Sequence, residues 1–177
     1  MNREVIGRGT WIDKIASTII NREKDIGRPL EFILVESGLG ASGFPHIGSL
    51  GDAVRAYGVS LAIKNLGYDS KLIAYSDDLD GLRKIPTGLP DWLRDYIGKP
   101  VANIPDPVGH CHDSYGDHMS SQLLDALDRL DINYEFLNAA KVYGSGMLTH
   151  QIHIILSNAA NLGNKIDELV GQSKYIE

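Results

Sequence analysis

The chain has 177 residues, of which 43% are hydrophobic and 23% charged, and this balance predicts a globular fold and excludes a disordered chain. Its formal net charge of -6 excludes nucleic-acid binding through a general basic field, although a local basic patch stays open. One cysteine excludes an internal disulfide and fits a reducing compartment, and no apolar run reaches the roughly 18 residues that span a bilayer, so we expect a cytoplasmic protein that does not enter a membrane.

A helix and a strand are predicted at the start of the chain. Apolar residues spaced three or four apart predict the helix, namely Trp11, Ile12, Ile15, Ala16, Ile19 and Ile20. Gly27-Arg28-Pro29 ends it. Leu30 and the run from Phe32 to Val35 then have the length and composition of a buried strand in a parallel sheet.

A second helix is predicted to begin near His46. Its expected apolar face consists of residues at steps of three and four, namely Ile47, Leu50, Val54, Tyr57, Leu61 and Ile63 or Leu66. The helix ends at Asn65 to Tyr68, and Lys71 to Tyr75 predicts a second strand. This β-α-β order predicts a parallel sheet.

The loop between the first strand and the second helix is rich in glycine. Gly38, Gly40 and Gly43 allow a sharp turn and leave room for a ligand, and His46 adds an imidazole. A helix N-terminus at the carboxyl end of a parallel strand favours phosphate, because unpaired backbone N–H groups and the helix dipole point there. The pattern alone leaves an ordinary β-α turn equally open, since neither dinucleotide-binding nor P-loop spacing is present.

Three carboxylates and two cations follow the second strand, between Ser76 and Pro86. The cluster of Asp77, Asp78 and Asp80 could bind Mg²⁺ or a substrate ammonium, and the cations Arg83 and Lys84 could meet phosphate. The spacing by itself favours a solvated, self-neutralising loop over a binding site.

The segment from Pro86 to Pro107 is dense in proline and glycine and predicts an insertion that crosses the open end of the sheet as a wall or lid. Later elements follow from apolar spacing: a helix through Met119, Leu123, Leu127 and Leu130, a strand from Ile132 to Leu137, and helices from Met147 to Leu162 and from Asn164 to Val170.

The cysteine and three of the six histidines lie within the thirteen residues from Asp106 to His118. Thiolate, imidazole and carboxylate groups bind Zn²⁺ tetrahedrally, so Asp106, Cys111, His112 and His118 could form a closed structural site. Such a site would stabilise a loop with little core of its own. The alternative is that the histidines are surface residues and Cys111 a small buried side chain, because the spacing matches no standard finger.

Two motif regions together resemble one family. His46-Ile47-Gly48-Ser49 resembles the HIGH signature of class I aminoacyl-tRNA synthetases, with Ser49 in place of the final histidine. Glu36 to Gly38, followed by Ala41 to Gly43, resembles its version in class I lysyl-tRNA synthetases. The segment from Asp106 to His118 resembles the same family in its Asp-Pro, Cys-His and Ser-Tyr elements and its later histidine, and the family carries a metal there.

The resemblance implies a fold and a reaction. The fold is α/β, a Rossmann-like parallel sheet of a class I synthetase catalytic domain with an inserted segment. The reaction is ATP-dependent activation of lysine to lysyl-adenylate, followed by transfer to tRNA(Lys). The implied partners are lysine, ATP with Mg²⁺ and tRNA(Lys), and Zn²⁺ is the implied structural metal.

The resemblance also implies site residues, which fall into four groups. The catalytic group is His46, Gly48 and Ser49, and the ATP-binding group is Gly40, Ser42, Gly43, His46 and Gly48. The lysine-binding group is Glu36, Ser37, Gly38, Asp113 and Tyr115. The metal ligands are Asp106, Cys111, His112 and His118, and the additional His110 leaves open which of the two neighbouring imidazoles binds.

The sequence contains no KMSKS-like lysine loop, nor the later cysteine cluster and anticodon-binding helical domain of the family. We therefore expect residues 1–177 to be the N-terminal half of the catalytic domain, with an insertion at roughly residues 86–118, and to be inactive alone. Two alternatives stay open: another HxGH-type nucleotidyltransferase that adenylylates a different small acid, and a non-catalytic paralogue or binding module.

Overall fold

The computed structural model describes residues 9–170. Its helices and strands are, in chain order, α1 Trp11–Asp25, β1 Phe32–Leu39, α2 Ile47–Asn65, β2 Asp69–Ser76, α3 Tyr115–Arg129, β3 Tyr134–Asn138, α4 Ala139–Gly144, α5 Thr149–Ser157 and α6 Ala159–Val170. Two short 3₁₀ helices, Asp91–Tyr96 and Val101–Asn103, lie in the insertion. The chain divides into two compact units, and the boundary falls after Ala140.

The first unit contains a three-stranded parallel sheet in the order β1-β2-β3. Helices α1 and α2 pack on one face of it, where Ile20 and Ile63 bury Ile33. Helix α3 packs on the same face, because Leu127 lies in one cluster with Leu72 of β2. The predicted α/β class with a Rossmann-like parallel sheet is confirmed.

The prediction of a buried first strand is correct for one face of β1 and wrong for the other. Strand β1 lies at the edge of the sheet, and Phe32 and Leu34 on its second face are 52% and 60% exposed. The strand also continues to Leu39, so Gly38 belongs to the strand and not to the glycine loop. An edge strand with one covered face buries alternate residues, and this pattern of alternation is seen in β1.

The apolar face predicted for helix α2 is wrong at its first turns. Ile47 is 83% exposed and Val54 is 42% exposed, whereas the small residue Ala53 is fully buried. The helix packs closely against the sheet through Ala53, Val59, Ala62 and Ile63, so its buried face is offset from the one that the largest side chains indicate.

The insertion has a core of its own, contrary to the expectation of a loop with little burial. Leu93, Val101 and Ile104 are fully buried in one cluster with Tyr115 of α3 and with Ala41 of the glycine loop. The insertion therefore packs on the elements that carry the glycine loop. Its apolar contacts contribute to its stability independently of any bound metal.

The later elements differ from prediction at their ends. Helix α3 begins at Tyr115, where the Ser114 side chain accepts a hydrogen bond from the Asp117 backbone, and it leaves Leu130 exposed beyond its end. Strand β3 begins at Tyr134 and not at Ile132.

The second unit contains helices α5 and α6. The predicted single helix from Met147 to Leu162 is wrong, because the chain leaves helical geometry at Asn158, whose side-chain amide donates to the Ile154 carbonyl oxygen. Helix α6 therefore begins at Ala159, and Gly163 lies inside it rather than between the two predicted helices. Within residues 9–170, no helix combines the length and the hydropathy that crossing a bilayer requires.

Candidate functional site

A cleft of about 550 Å³ opens where β1 and β2 end and α2 begins. Four of the residues predicted to bind ATP line it, namely Gly40, Ser42, Gly43 and His46, together with Ser49 of the same signature. The loop after β2 supplies the opposite side through Arg83 and Lys84. The topology thus places two cations opposite the N-terminus of a helix, which is the end that favours anions.

His46 is the N-cap of α2. Its Nδ1 accepts hydrogen bonds from the backbone N–H groups of Gly48 at 3.0 Å and Ser49 at 3.3 Å. A ring nitrogen that accepts hydrogen bonds carries no proton, so Nε2 is the ring nitrogen that can act as a donor. The exposed ring can therefore cap the helix with one nitrogen and donate a hydrogen bond to a ligand in the cleft with the other.

Gly48 lies directly beneath the His46 ring. A Cβ atom at this position would be 2.8 Å from His46 Cε1 and 2.9 Å from Nδ1, which is closer than real Cβ contacts come. Glycine is thus required for the ring to reach the helix N-terminus. This gives the glycine of the signature a structural reason within the protein, in addition to the ATP-binding role that the resemblance implies.

Gly48→Ala is expected to displace the imidazole and to lower nucleotide-dependent activity by about 100-fold, the size of effect that a displacement of about 1 Å can have. Gly51→Ala on the same helix is the matched control, since a Cβ there meets no atom within 4 Å. We expect the control to keep activity and to gain roughly 0.5–1 kcal/mol in unfolding free energy. Equal activity in the two variants would contradict the packing argument.

The insertion holds the segment that carries the two cations. The Leu82 backbone N–H donates to the Lys99 carbonyl at 2.9 Å, and the Leu82 carbonyl accepts from Gly98 at 2.8 Å. Val101 donates in turn to the Asp80 carbonyl at 3.0 Å. This short antiparallel contact orients the residues just before Arg83. The insertion therefore supports the cleft wall and, through Pro86, also forms part of it.

The predicted solvated, self-neutralising loop after β2 is wrong for Asp78. This side chain is 2% exposed, and its Oδ1 accepts a hydrogen bond from the Ala140 backbone at 2.9 Å. Its carbonyl oxygen accepts from Ala102 at 2.8 Å. Burial raises the pKa of Asp78, although the Ala140 N–H group opposes that rise. Asp78 thus joins three segments, while Asp77 and Asp80 stay exposed.

The residues predicted to bind lysine are not all brought together. Glu36 and Ser37 are consecutive on β1, so their side chains lie on opposite faces of the sheet. Glu36 is exposed, whereas Ser37 is buried and its hydroxyl lacks a hydrogen-bond partner among the described residues. Gly38 lies on the Glu36 face, where a Cβ would be 3.8 Å from an Asp77 carboxylate oxygen.

The other two predicted lysine contacts lie at the start of α3. Asp113 is exposed just before the helix. Tyr115 is fully buried, and its hydroxyl donates to the Ser42 carbonyl oxygen at 2.9 Å. Lysine binding by Asp113 stays a prediction, whereas the buried Tyr115 hydroxyl is engaged within the protein.

The four predicted metal ligands lie together at the start of α3, with their ligand atoms all within 4.8 Å of one another. Cys111 Sγ is 3.5 Å from Asp106 Oδ2, 3.1 Å from His112 Nδ1 and 3.4 Å from His118 Nδ1. The two Nδ1 atoms are 3.2 Å apart and lie 3.8 Å and 3.2 Å from Asp106 Oδ2.

These six distances describe the edges of a tetrahedron. Ligands bound to zinc at the usual lengths are separated by about 3.3–3.6 Å, so the four donors suit a single tetrahedral ion with small adjustments. His110, the competing imidazole, is exposed at a positive φ of 55° and is not part of the group.

Asp106 is held in place by the backbone around it. Its Oδ1 accepts from Val108 at 2.8 Å, and its Oδ2 accepts from Cys111 and His112, both at 2.9 Å. Burial alone would raise the pKa of Asp106, but the Val108 and His112 N–H groups and the His118 side chain outweigh it and hold the pKa well below its usual range. The carboxylate is therefore ionised and oriented, as a metal ligand must be.

Comparison with known proteins identifies the family of this chain. The family model described as tRNA synthetases class I (K) matches residues 9–176. This chain belongs to that family. The signature residues His46 to Ser49 lie at the N-terminus of α2. Membership of the family disfavours the alternative of an unrelated HxGH nucleotidyltransferase.

Three relatives in this family are similar to the chain, and each is longer than the chain. A lysine–tRNA ligase of Cenarchaeum symbiosum (strain A) is 61% identical over 172 residues, which are 97% of this chain and 33% of the relative. Lysine–tRNA ligases of Rickettsia bellii and Pyrococcus horikoshii are 39% and 32% identical, over 71% and 94% of this chain and 24% and 30% of the relatives. The matched residues thus span between about a quarter and a third of the length of these relatives.

Two charged cleft residues, Arg83 and Lys84, were not in the predicted ATP-binding group, although both were expected as cations that could meet phosphate. The signal that could have placed them in the cleft is topological. The carboxyl ends of adjacent parallel strands meet at one edge of the sheet, so the loop after β2 must face the loop after β1.

Proposed function

We propose that this chain is the part of a lysine–tRNA ligase that binds ATP and helps to convert lysine to lysyl-adenylate, which the whole enzyme transfers to tRNA(Lys). The observation that carries the proposal is the cleft in which His46, at the N-terminus of α2, faces Arg83 and Lys84. The names of the relatives supply the amino acid. Because aminoacylation is a step of translation, we also propose a cytoplasmic location.

The proposed reaction is attack of the lysine carboxylate on the α-phosphorus of ATP, with pyrophosphate as the leaving group. No protein nucleophile is needed, so catalysis consists of positioning and charge stabilisation. His46 Nε2–H would donate to a phosphate oxygen, while Arg83 and Lys84 would offset the charge on the departing pyrophosphate. Mg²⁺ would accompany ATP as part of the substrate complex.

Lysine recognition requires a carboxylate for the side-chain ammonium. Glu36 and Asp77 are our candidates, because both lie near the end of the sheet and Gly38 leaves open space between the strand and the Asp77 carboxylate. Partial burial, followed by the charges of the neighbouring Asp80 and Asp78, raises the pKa of Asp77, and an ammonium group would relieve the repulsion between these carboxylates. Asp113 is retained as a further predicted contact, whereas Ser37 is buried on the face of the sheet opposite to Glu36.

We further propose that Asp106, Cys111, His112 and His118 hold Zn²⁺. The near-tetrahedral spacing of the four donors and the ionised Asp106 support this choice over a set of surface histidines. Four protein ligands leave no open position for substrate, so the ion would supply structural stability to the insertion and the start of α3, and no chemistry.

Lysine-dependent exchange of pyrophosphate with ATP, measured on the complete gene product that contains this chain, tests the proposed function. We expect exchange with lysine and at least 100-fold slower exchange with arginine and ornithine, because a site built around an ammonium group discriminates by length and hydrogen bonding. Exchange with a different small acid would overturn the lysine assignment. The absence of exchange with any amino acid would favour a binding module.

A further inference from the structure

Tyr115 connects the predicted metal ligands to the glycine loop. It is the first residue of α3, and its hydroxyl reaches 73 positions back along the chain to donate to the Ser42 carbonyl at 2.9 Å. Burial raises the pKa of Tyr115 to about 12, so the hydroxyl keeps its proton near neutral pH. The loop residue that receives this hydrogen bond also lines the cleft.

Both ends of this connection are anchored. The Tyr115 backbone N–H donates to the Ile104 carbonyl at 2.8 Å, and the ring lies in one buried cluster with Ala41, the loop residue before Ser42. His118 follows on the same helix turn and belongs to the metal-binding group. Because α3 is rigid over one turn, a displacement of His118 would move Tyr115.

We propose that Tyr115 is a positioning residue that sets the glycine loop for nucleotide binding through Ser42 and couples the metal-binding group to the cleft. The inference rests on the proposed function for its assignment of ATP to the cleft. It gives Tyr115 a role that differs from the lysine contact expected from the sequence, because the fully buried side chain presents no surface to a substrate.

The test compares Tyr115→Phe with the matched control Tyr134→Phe, which removes a tyrosine hydroxyl hydrogen-bonded to Asp128 at 2.9 Å on the same unit. ATP affinity and zinc content are measured on the complete gene product, in the zinc-loaded form and after removal of zinc with a chelator. Phenylalanine keeps the ring in the core, and a thermal melt of each variant verifies that it is folded.

We expect Tyr115→Phe to weaken ATP binding about five- to tenfold with zinc content unchanged, since the Ser42 carbonyl loses the hydroxyl donor that holds the glycine loop. We expect Tyr134→Phe to change ATP affinity less than twofold. Removal of zinc should weaken ATP binding by a similar factor in the wild type and by less than twofold in Tyr115→Phe, because the connection is already broken there.

Equal ATP affinities in the two variants would overturn the proposal, as would a zinc effect of the same size in the wild type and Tyr115→Phe. Lysine-dependent exchange by the wild type is measured in parallel. A wild type that binds ATP without such exchange would refute the lysine assignment and leave the Tyr115 comparison valid. A wild type that does not bind ATP would refute both.

Discussion

Replacing His46 with alanine is expected to lower lysine-dependent pyrophosphate exchange by 10²–10³-fold, since a preorganised donor to developing charge contributes about 2.7–4 kcal/mol to a transition state. The structure gives the imidazole two tasks, because Nδ1 caps α2 and Nε2 is the nitrogen that can donate into the cleft. The alanine variant loses both, so its stability should also fall by about 1 kcal/mol, measured by denaturant unfolding.

His46→Asn separates the two tasks. Asparagine is among the preferred N-cap residues, so this variant should unfold within about 0.5 kcal/mol of the wild type. It lacks the imidazole and should exchange as poorly as the alanine variant. If asparagine restored exchange, the function of His46 would be capping alone, and the proposed phosphate contact would be wrong.

Replacing Cys111 with serine is expected to abolish zinc binding and to lower the melting temperature of the complete gene product by several degrees. A neutral hydroxyl is a poor zinc ligand, and loss of one of four ligands removes most of the affinity of a closed structural site. The measurements are zinc per chain by elemental analysis and the melting temperature with and without a chelator. A chelator should lower the wild-type melting temperature and leave that of the variant unchanged.

The neighbouring histidines provide a matched pair. His112→Ala should lose zinc, because His112 Nδ1 lies 3.1 Å from Cys111 Sγ. His110→Ala should keep about one zinc per chain, because the exposed His110 lies outside the group. Retention of zinc by His112→Ala with loss by His110→Ala would show that the assignment of the two imidazoles is reversed.

Local sequence signals predicted where the helices and strands lie better than they predicted which face of each is buried. The capping box at Thr10 and Asp13 and the positive φ of 68° at Gly27 are local devices, and the helix between them was predicted. The faces of β1 and α2 depend on which neighbours cover them. The exposure of Leu34 and Ile47 therefore could not follow from their hydrophobicity.

The sequence by itself determined the β-α-β order, the phosphate-compatible helix start at His46 and the set of donors between Asp106 and His118, because each depends on residues close together in the chain. Only the tertiary structure decided that Arg83 and Lys84 face His46, that Asp78 is buried, that His112 rather than His110 joins the donor group, and that Tyr115 reaches Ser42. The physical reason is that sheet register and core packing bring distant segments together, and neither leaves a periodic signal in the residues that meet.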